Sequence, residues 1–525
     1  MNDGRIFNGK NILLVCAETQ SWPMHYVAEI LKKTAKSISA IYIQPGETYL
    51  GAQDYRKFKE LNPDIKIYDL SDLVQEYLDG IKNITVNLDL ELVRKFEEKY
   101  SKYSLLNEQF LAEMLLTPYY HDRNFYKFVP HENILYFAQL YYQRIEDILA
   151  SNKFDVILDC DVDFFGRAVL LEVSKNLEIP YISVDHSRVD GYLLPTRSLC
   201  KEIHPKIKSF FSVKRLNSLL KSDPAINLFL QSIIDGMGEI PKVYKEDYKR
   251  FEFSLYRNIR GFIGYTYRFF RHPQLRLIYL TRVRGISSPL FGDPIGKLFF
   301  IWMYYIRRIY MRVHSPFDGV DIRDSKYIYV PLHVIPESST TVLSPIYINE
   351  AFIIESLSKS VACDVKIVVK EHWSMLGYRP LSFYKKIKKI PNVILVDPEL
   401  KRNPKYYIKN ALLIATISGS SALEGAILGK NSLVFCDVLF NLLERVKKIH
   451  IDIELKDIIK KHQAFEDTGA DLYAYIALIL EFGAKVDLKK LYIAPGLGSE
   501  REKDSEAAAL LQVFENGFIK LSTDQ

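Results

Sequence analysis

Cysteine is sparse in this chain: five residues in 525, at Cys16, Cys160, Cys200, Cys363 and Cys436. That spacing excludes a disulfide-stapled scaffold, and no pair is placed for zinc or redox chemistry. The low, odd count suits a reducing compartment. Long hydrophobic runs are lacking too. The longest dense one, Leu298 to Ile306, falls well short of the roughly 20 residues that span a bilayer. The apolar run Ile12 to Ala17 is too short for a signal peptide and has the shape of a buried strand. The expectation is a soluble cytoplasmic protein. Charge of one sign is also missing in bulk, with 70 basic against 64 acidic side chains and a net +6. Nucleic acid is therefore not an expected partner. Finally, there is no GxGxxG after the first strand, and no GxxxxGK[ST], HExxH or GxSxG. These absences count against NAD enzymes, P-loop NTPases, zincins and α/β-hydrolases. No cofactor is called for.

What is present is a globular balance of 48% apolar and 26% charged residues, rich in aromatics, with 35 Tyr and 30 Phe. The length asks for two or three domains. Residues 1–204 alternate short apolar runs with amphipathic stretches. Strands are expected at Asn11–Val15, Ile38–Ile43, Ile65–Tyr68, Asp155–Leu158 and Tyr181–Val184, with a helical insertion over 88–152. Residues 205–324 break the rhythm and read as a helical linker region. Between Phe251 and Arg312 many arginines interleave with Tyr and Phe, and the only acids are Glu252 and Asp293. Residues 325–487 alternate most regularly: strands at Tyr327–Val330, Val365–Val369, Val393–Val396, Leu412–Ile417 and Leu433–Phe435 alternate with helices, the first of them over Ile346–Ser360. Residues 488–525 form a tail with a surface helix over Ser499–Phe514. The fold class is α/β, two Rossmann-like domains with an additional helical segment.

In open parallel sheets, ligands bind beyond the carboxyl ends of the strands, which picks out four polar loops. PLHVIPESST carries His333, Glu337 and Ser338, where hydroxyls and a carboxylate can bind a ligand or simply cap a helix. KEHW carries Lys370, Glu371 and His372, and a histidine there can donate to a phosphate. ISGSSALEGAILGK carries Ser418, Gly419, Ser420 and Ser421 at a helix start, suited to an anion. Its Glu424 either reaches a ribose diol or closes a capping box with Ser421. In the N-terminal half, DHSRVDGY crowds Asp185, His186, Arg188 and Asp190 at a strand end. An acid there can serve as base or nucleophile, and Arg188 can grip a carboxylate. The nearby Asp161 and Asp163 are read as caps of the following helix.

Taken in order and spacing, PLHVIPESST, KEHW and SGSSALEGAILGK resemble the bacterial capsule polysaccharide biosynthesis protein family, which is similar to GT-B glycosyltransferases. The match covers residues 326 to about 437 well, and the N-terminal half loosely through 155–192. Trp373 stands where that family usually has proline, and SALEGA replaces its commoner GxEAL. The resemblance implies a GT-B-like fold with two domains facing across a cleft. It implies a metal-independent transferase using a CMP-activated acidic sugar, notably Kdo. Nucleotide phosphate binding then falls on His372, Ser418, Ser420 and Ser421, and ribose binding on Glu424. The acceptor, a glycan or lipid-linked glycan, would lie against the N-terminal domain, where Asp185, Asp190 or Glu337 would act on the acceptor or the anomeric centre, with His186 among the catalytic candidates. The arginine-rich 251–312 segment would serve as packing or as peripheral contact with the inner face of the cytoplasmic membrane. Two other readings share the scaffold: a CDP-alcohol-dependent polyol-phosphate transferase, and a non-catalytic polysaccharide assembly or export component.

Overall fold

The computed structural model describes residues 5–43, 52–103, 105–112, 129–162, 165–217, 221, 223–236, 254–271, 294–318, 322, 325–396, 404–452, 454–465 and 469–522. Asp163 and much of the 251–312 stretch lie outside them.

The first lobe is built on β1 (Asn11–Cys16), β2 (Ser37–Tyr42), β3 (Lys66–Asp69), β4 (Val156–Leu158), β5 (Tyr181–His186) and β6 (Tyr192–Thr196). They lie side by side as β3-β2-β1-β4-β5-β6. The pairs from β3 through β5 are parallel, and β6 turns back antiparallel on β5. The apolar runs are continuous because both faces are covered. Leu13, Val15 and Ile41 point into one core, and Ile12, Leu14 and Ala40 into the other.

The second lobe repeats the plan with β7 (Lys326–Pro331), β8 (Val365–Lys370), β9 (Val393–Val396), β10 (Leu413–Thr416), β11 (Ser432–Val434) and β12 (Val446–Lys448). All its pairs are parallel. Their order, β9-β8-β7-β10-β11-β12, is that of a doubly wound nucleotide-binding sheet. Ile328 and Val330 face one core while Tyr327 and Tyr329 face the other. The fold is thus α/β and GT-B-like, with two Rossmann-like sheets. A contact crosses between them: Lys201 Nζ donates to the Val342 carbonyl.

Two expectations are corrected. The helix expected from Ile346 begins only at Glu350, because a 3-10 turn, Pro345–Tyr347, precedes it and Asn349 caps it. The tail helix is not a surface element. It runs Glu500–Lys520, and Ala507, Leu510, Leu511 and Phe514 form a stripe at helical spacing that is fully buried against the first sheet. Just upstream, β13 (Ala484–Lys485) pairs antiparallel with β6 and extends that sheet.

Of the helical region, Leu255–Arg271 and Pro294–Val313 are described. They pack together through Phe262 and Trp302, with ring centroids 5.7 Å apart, and Trp302 Nε1 donates to Thr266 Oγ1 at 2.8 Å. The second helix docks on the second lobe at Tyr378. The Tyr304 ring lies 4.5 Å from the Tyr378 ring, and Arg307 Nη1 donates to the Tyr378 carbonyl at 2.9 Å. Gly377 permits this approach: its φ is +88°, and a Cβ there would sit 2.5 Å from Arg308 Cγ.

Candidate active site

Strand order reverses in the second sheet between β7 and β10, so their carboxyl ends open a crevice. The loops after those two strands meet there. His333 follows β7; its main-chain N–H donates to Glu350 Oε1 at 2.7 Å, and its Nδ1 lies 3.1 Å from the same oxygen. The carboxylate fixes the Nδ1–H tautomer, so Nε2 accepts. It takes the Thr416 hydroxyl at 3.0 Å and, more weakly, the Ser418 N–H at 3.4 Å. The Gly419 N–H donates to Thr416 Oγ1 at 3.2 Å. His333 therefore holds the serine turn in place from below.

The chain of contacts continues inward. Arg379, 2% exposed, donates Nε to Glu371 Oε2 at 2.7 Å and Nη2 to the His333 carbonyl at 2.9 Å, and Nη2 also lies 2.9 Å from Glu350 Oε2. Tyr384 Oη donates to Glu371 Oε2 at 2.8 Å. Burial alone would raise the Glu350 carboxyl, but the Arg379 guanidinium and the His333 hydrogen bonds outweigh it and hold it below its ordinary value. Glu371 is raised, by burial first and also by the neighbouring Glu350 charge, against the pull of Arg379. Glu371, read from sequence as a ligand group, is thus turned into the core, where it braces the loop.

His372 faces differently. It is half-buried, and its Nδ1 accepts the Ser374 N–H at 3.3 Å, with the Ser374 hydroxyl at 2.7 Å. Burial first, then the neighbouring His333 and Arg379, push its pKa down to about 4. At neutral pH it is an uncharged imidazole with the proton on Nε2, a donor rather than a cation. Lys370 lies with Nζ 5.3 Å from the Tyr407 ring centroid. Trp373, where proline would be usual, tilts against the His372 ring at 5.2 Å.

The serine turn opens the helix Ser421–Ile427. No capping box forms there: Ser420 Oγ donates to Glu424 Oε1 at 3.0 Å, and no side chain caps the helix start. At seven residues the helix is too short for its dipole alone to make an anion site. Burial raises the Glu424 carboxyl, against the Ser420 hydrogen bond that lowers it. Ser418 Oγ donates to the Ser339 carbonyl, tying this turn to the Ser338–Thr341 helix. Glu337, just ahead of it, is exposed and accepts from Ser339 Oγ at 2.8 Å. Gly419 is required by packing, since a Cβ would lie 2.6 Å from Thr416 Oγ1 and 3.2 Å from His333 Nε2. Gly419→Ala is expected to cost about 1–3 kcal/mol through overpacking, measured as a lower urea midpoint.

Across the cleft, β5 runs two residues further than the sequence suggested, so Asp185 and His186 end a strand and 187–191 form a hairpin turn. Arg188 and Asp190 take left-handed backbone there, with φ of 62° and 42°. Asp190 is exposed and paired with Lys485 at 2.5 Å. Asp185 lines a cavity with Thr196, Cys200, His204 and, from the second lobe, Asp437 and Val438. Burial raises its pKa to about 6, although the Arg188 cation and the Cys200 thiol both pull it down. His186 keeps solvent-accessible surface but is hemmed in by protein, as on a cleft wall. That surrounding, with the Arg188 charge, lowers it to about 4. Asp161 accepts the Val162 N–H at 2.7 Å and Gln20 Nε2 at 2.6 Å, a local structural role.

The sequence reading missed Glu350, Arg379, Thr416 and Tyr384, and on the cleft side Cys200 and Asp437. None lies in a local pattern that marks it, because each acts through partners distant in sequence.

Fold and site together define a two-lobed α/β protein with a crevice at the switch point of its second sheet. No family model matches the chain, and no curated protein matches it in sequence. Among solved structures it is similar to Thermosulfurimonas dismutans KpsC, beta Kdo 2,7 transferase, at 11% identity and a TM-score of 0.30, covering 66% of this chain and 84% of that one. The beta Kdo 2,4 transferase of the same KpsC scores 0.31 at 11% identity, over 64% and 83%. Methanocaldococcus jannaschii UDP-GlcNAc 2-epimerase in complex with UDP-GlcNAc and UDP scores 0.27 at 12% identity, over 90% and 99%. Likeness at this level carries no argument about activity, which rests on the site itself.

Proposed function

We propose that the protein is a glycosyltransferase of bacterial surface polysaccharide biosynthesis, taking its sugar from a CMP-type donor, with Kdo the sugar implied by the sequence resemblance. One observation carries this reading. The loops singled out in sequence for donor binding converge on the switch-point crevice, where His333, Thr416, Ser418 and Gly419 interlock within hydrogen-bonding distance. Above that support, His372 offers Nε2–H, Ser420 its N–H, and Ser421 its hydroxyl and N–H to the departing nucleotide phosphate. Preorganised donors of this kind stabilise charge as it develops on a leaving group. Glu424, already holding the Ser420 hydroxyl, is placed to take a ribose hydroxyl. On the opposite wall Asp185 is the group to accept a proton from the acceptor, with Arg188 beside it for an acidic sugar.

Thermal denaturation with a panel of nucleotides tests this. CMP or a CMP-sugar at about 100 times its Kd should add about 2.7 kcal/mol, a clear rise in Tm, and CMP-Kdo should then be turned over. A shift with UDP or GDP but not CMP overturns the donor assignment. No shift with any nucleotide overturns the reading as a whole.

A further inference from the structure

The arginine-rich helical pair carries a broad exposed apolar flank beside its packed face. On Leu255–Arg271, the face that meets the neighbouring helix carries Gly261, Phe262 and Thr266. The flank beside that face should be polar if water alone covers it. Instead Leu255, Tyr256, Ile259, Ile263, Tyr267 and Phe270 are exposed by 53, 70, 47, 60, 58 and 57%. At helical pitch these six fall within an arc of about 120°. Arg257, Arg260 and Arg271, also exposed, lie along one edge of it. The second helix likewise exposes Phe299, Ile306, Tyr310 and Val313, by 63, 51, 41 and 69%, with Arg312. Neither helix contains an acidic residue.

We propose that this helical pair seats the protein on an anionic lipid surface, with the exposed apolar side chains at the acyl boundary and the arginines on the headgroups. Among the described residues no helix is long and apolar enough to cross a membrane, so the contact lies in the interface plane. An apolar face flanked by basic residues is the composition of such helices. The charge pattern selects the occupant. A second copy of the chain would bring arginine edges together with no acid on either helix to relieve them, whereas an anionic bilayer neutralises them all. The inference is independent of the donor-site reading. It adds a geometric consequence, because the second helix is anchored at Tyr378, next to the Arg379 that braces the crevice.

Flotation of the full chain with vesicles tests it. Binding to phosphatidylcholine vesicles carrying roughly 30% phosphatidylglycerol should be strong, should weaken as salt rises, and should be nearly absent on phosphatidylcholine alone. Ile263→Asn with Phe270→Asn should lower binding at least about tenfold, since both side chains would leave the acyl boundary. Arg260→Gln should lower it about fivefold, the effect of one charge near such a surface. Both variants alter exposed positions and should keep the wild-type Tm and its response to nucleotide. The proposal is overturned by absence of binding, by equal binding to neutral vesicles, or by variants that bind like wild type. A solution dimer that the Ile263→Asn, Phe270→Asn variant dissociates would overturn it as well, by assigning the face to a second copy.

Discussion

Arg379→Met is expected to destabilise the second lobe by about 3–5 kcal/mol, the usual effect of removing one partner from a buried ion pair. Arg379 serves two buried carboxylates and a carbonyl, all within 2.9 Å. Without it Glu350 and Glu371 face each other, 4% and 2% exposed, with no cation between them. Arg379→Lys should fall between the two, because an ammonium cannot reproduce the planar fork that meets both acids. Urea unfolding gives the size, and pH gives the mechanism. Glu350 is depressed in the folded state, so its contribution is present above its unfolded pKa and is lost as pH falls through the folded value. The deficit of the methionine variant should therefore be largest at neutral pH and shrink in acid. A deficit independent of pH would show that lost packing, not charge, is responsible. The same substitution should reduce the nucleotide response, since Arg379 supports the His333 carbonyl and hence the serine turn.

The largest effect on turnover is expected from Asp185→Asn: a loss of about 10²–10⁴-fold, the range for removing a general base, with the nucleotide-induced rise in Tm retained. The raised pKa makes the test clean. A carboxyl whose folded pKa is raised to about 6 costs stability increasingly as pH climbs from its unfolded value through about 6, and in full above that. Asparagine removes that cost, so the variant should be no less stable at pH 7 to 8, and lost activity cannot be ascribed to unfolding. In the wild type the rate should fall as pH drops through about 6, where the base takes up its proton, and Asp185→Asn should abolish that limb. Retained activity, or loss of the nucleotide response along with it, would remove Asp185 from the proposed role.

The sheets were legible because buried parallel strands are short runs of Val, Ile and Leu, as in NILLVC and VKIVVK, and the helices between them follow ordinary periodicity. The polar loops of the second lobe stand out for a related reason: strand ends in such sheets are rarely polar without cause. The support beneath them does not. His333 depends on Glu350, Arg379 and Thr416, which stand 17, 46 and 83 residues away in the chain. Nothing in a local window marks a glutamate at a helix start or an arginine before a proline as their partners. DHSRVDGY hid a hairpin for a different reason. Its Asp-Gly pair is a turn signal, but the charged residues around it have the same composition as a polar strand-end loop. The tail helix reads as a surface element because the charges of EREKDSE stand together in sequence, while its buried stripe appears only at helical spacing.

That tail helix has a consequence for how the molecule is made. The first lobe draws β13 and the Glu500–Lys520 helix from the far side of the second, so in the chain the second lobe is an insertion within the first. During synthesis, domains generally complete in order from the N-terminus. Here the order reverses: all six strands of the second lobe are available while the first sheet still has β6 unpaired at one edge and apolar surface uncovered on one face. An open edge and a bare face are the features that invite mispairing with other chains. The segment made first is therefore the one that must wait longest for its final partner.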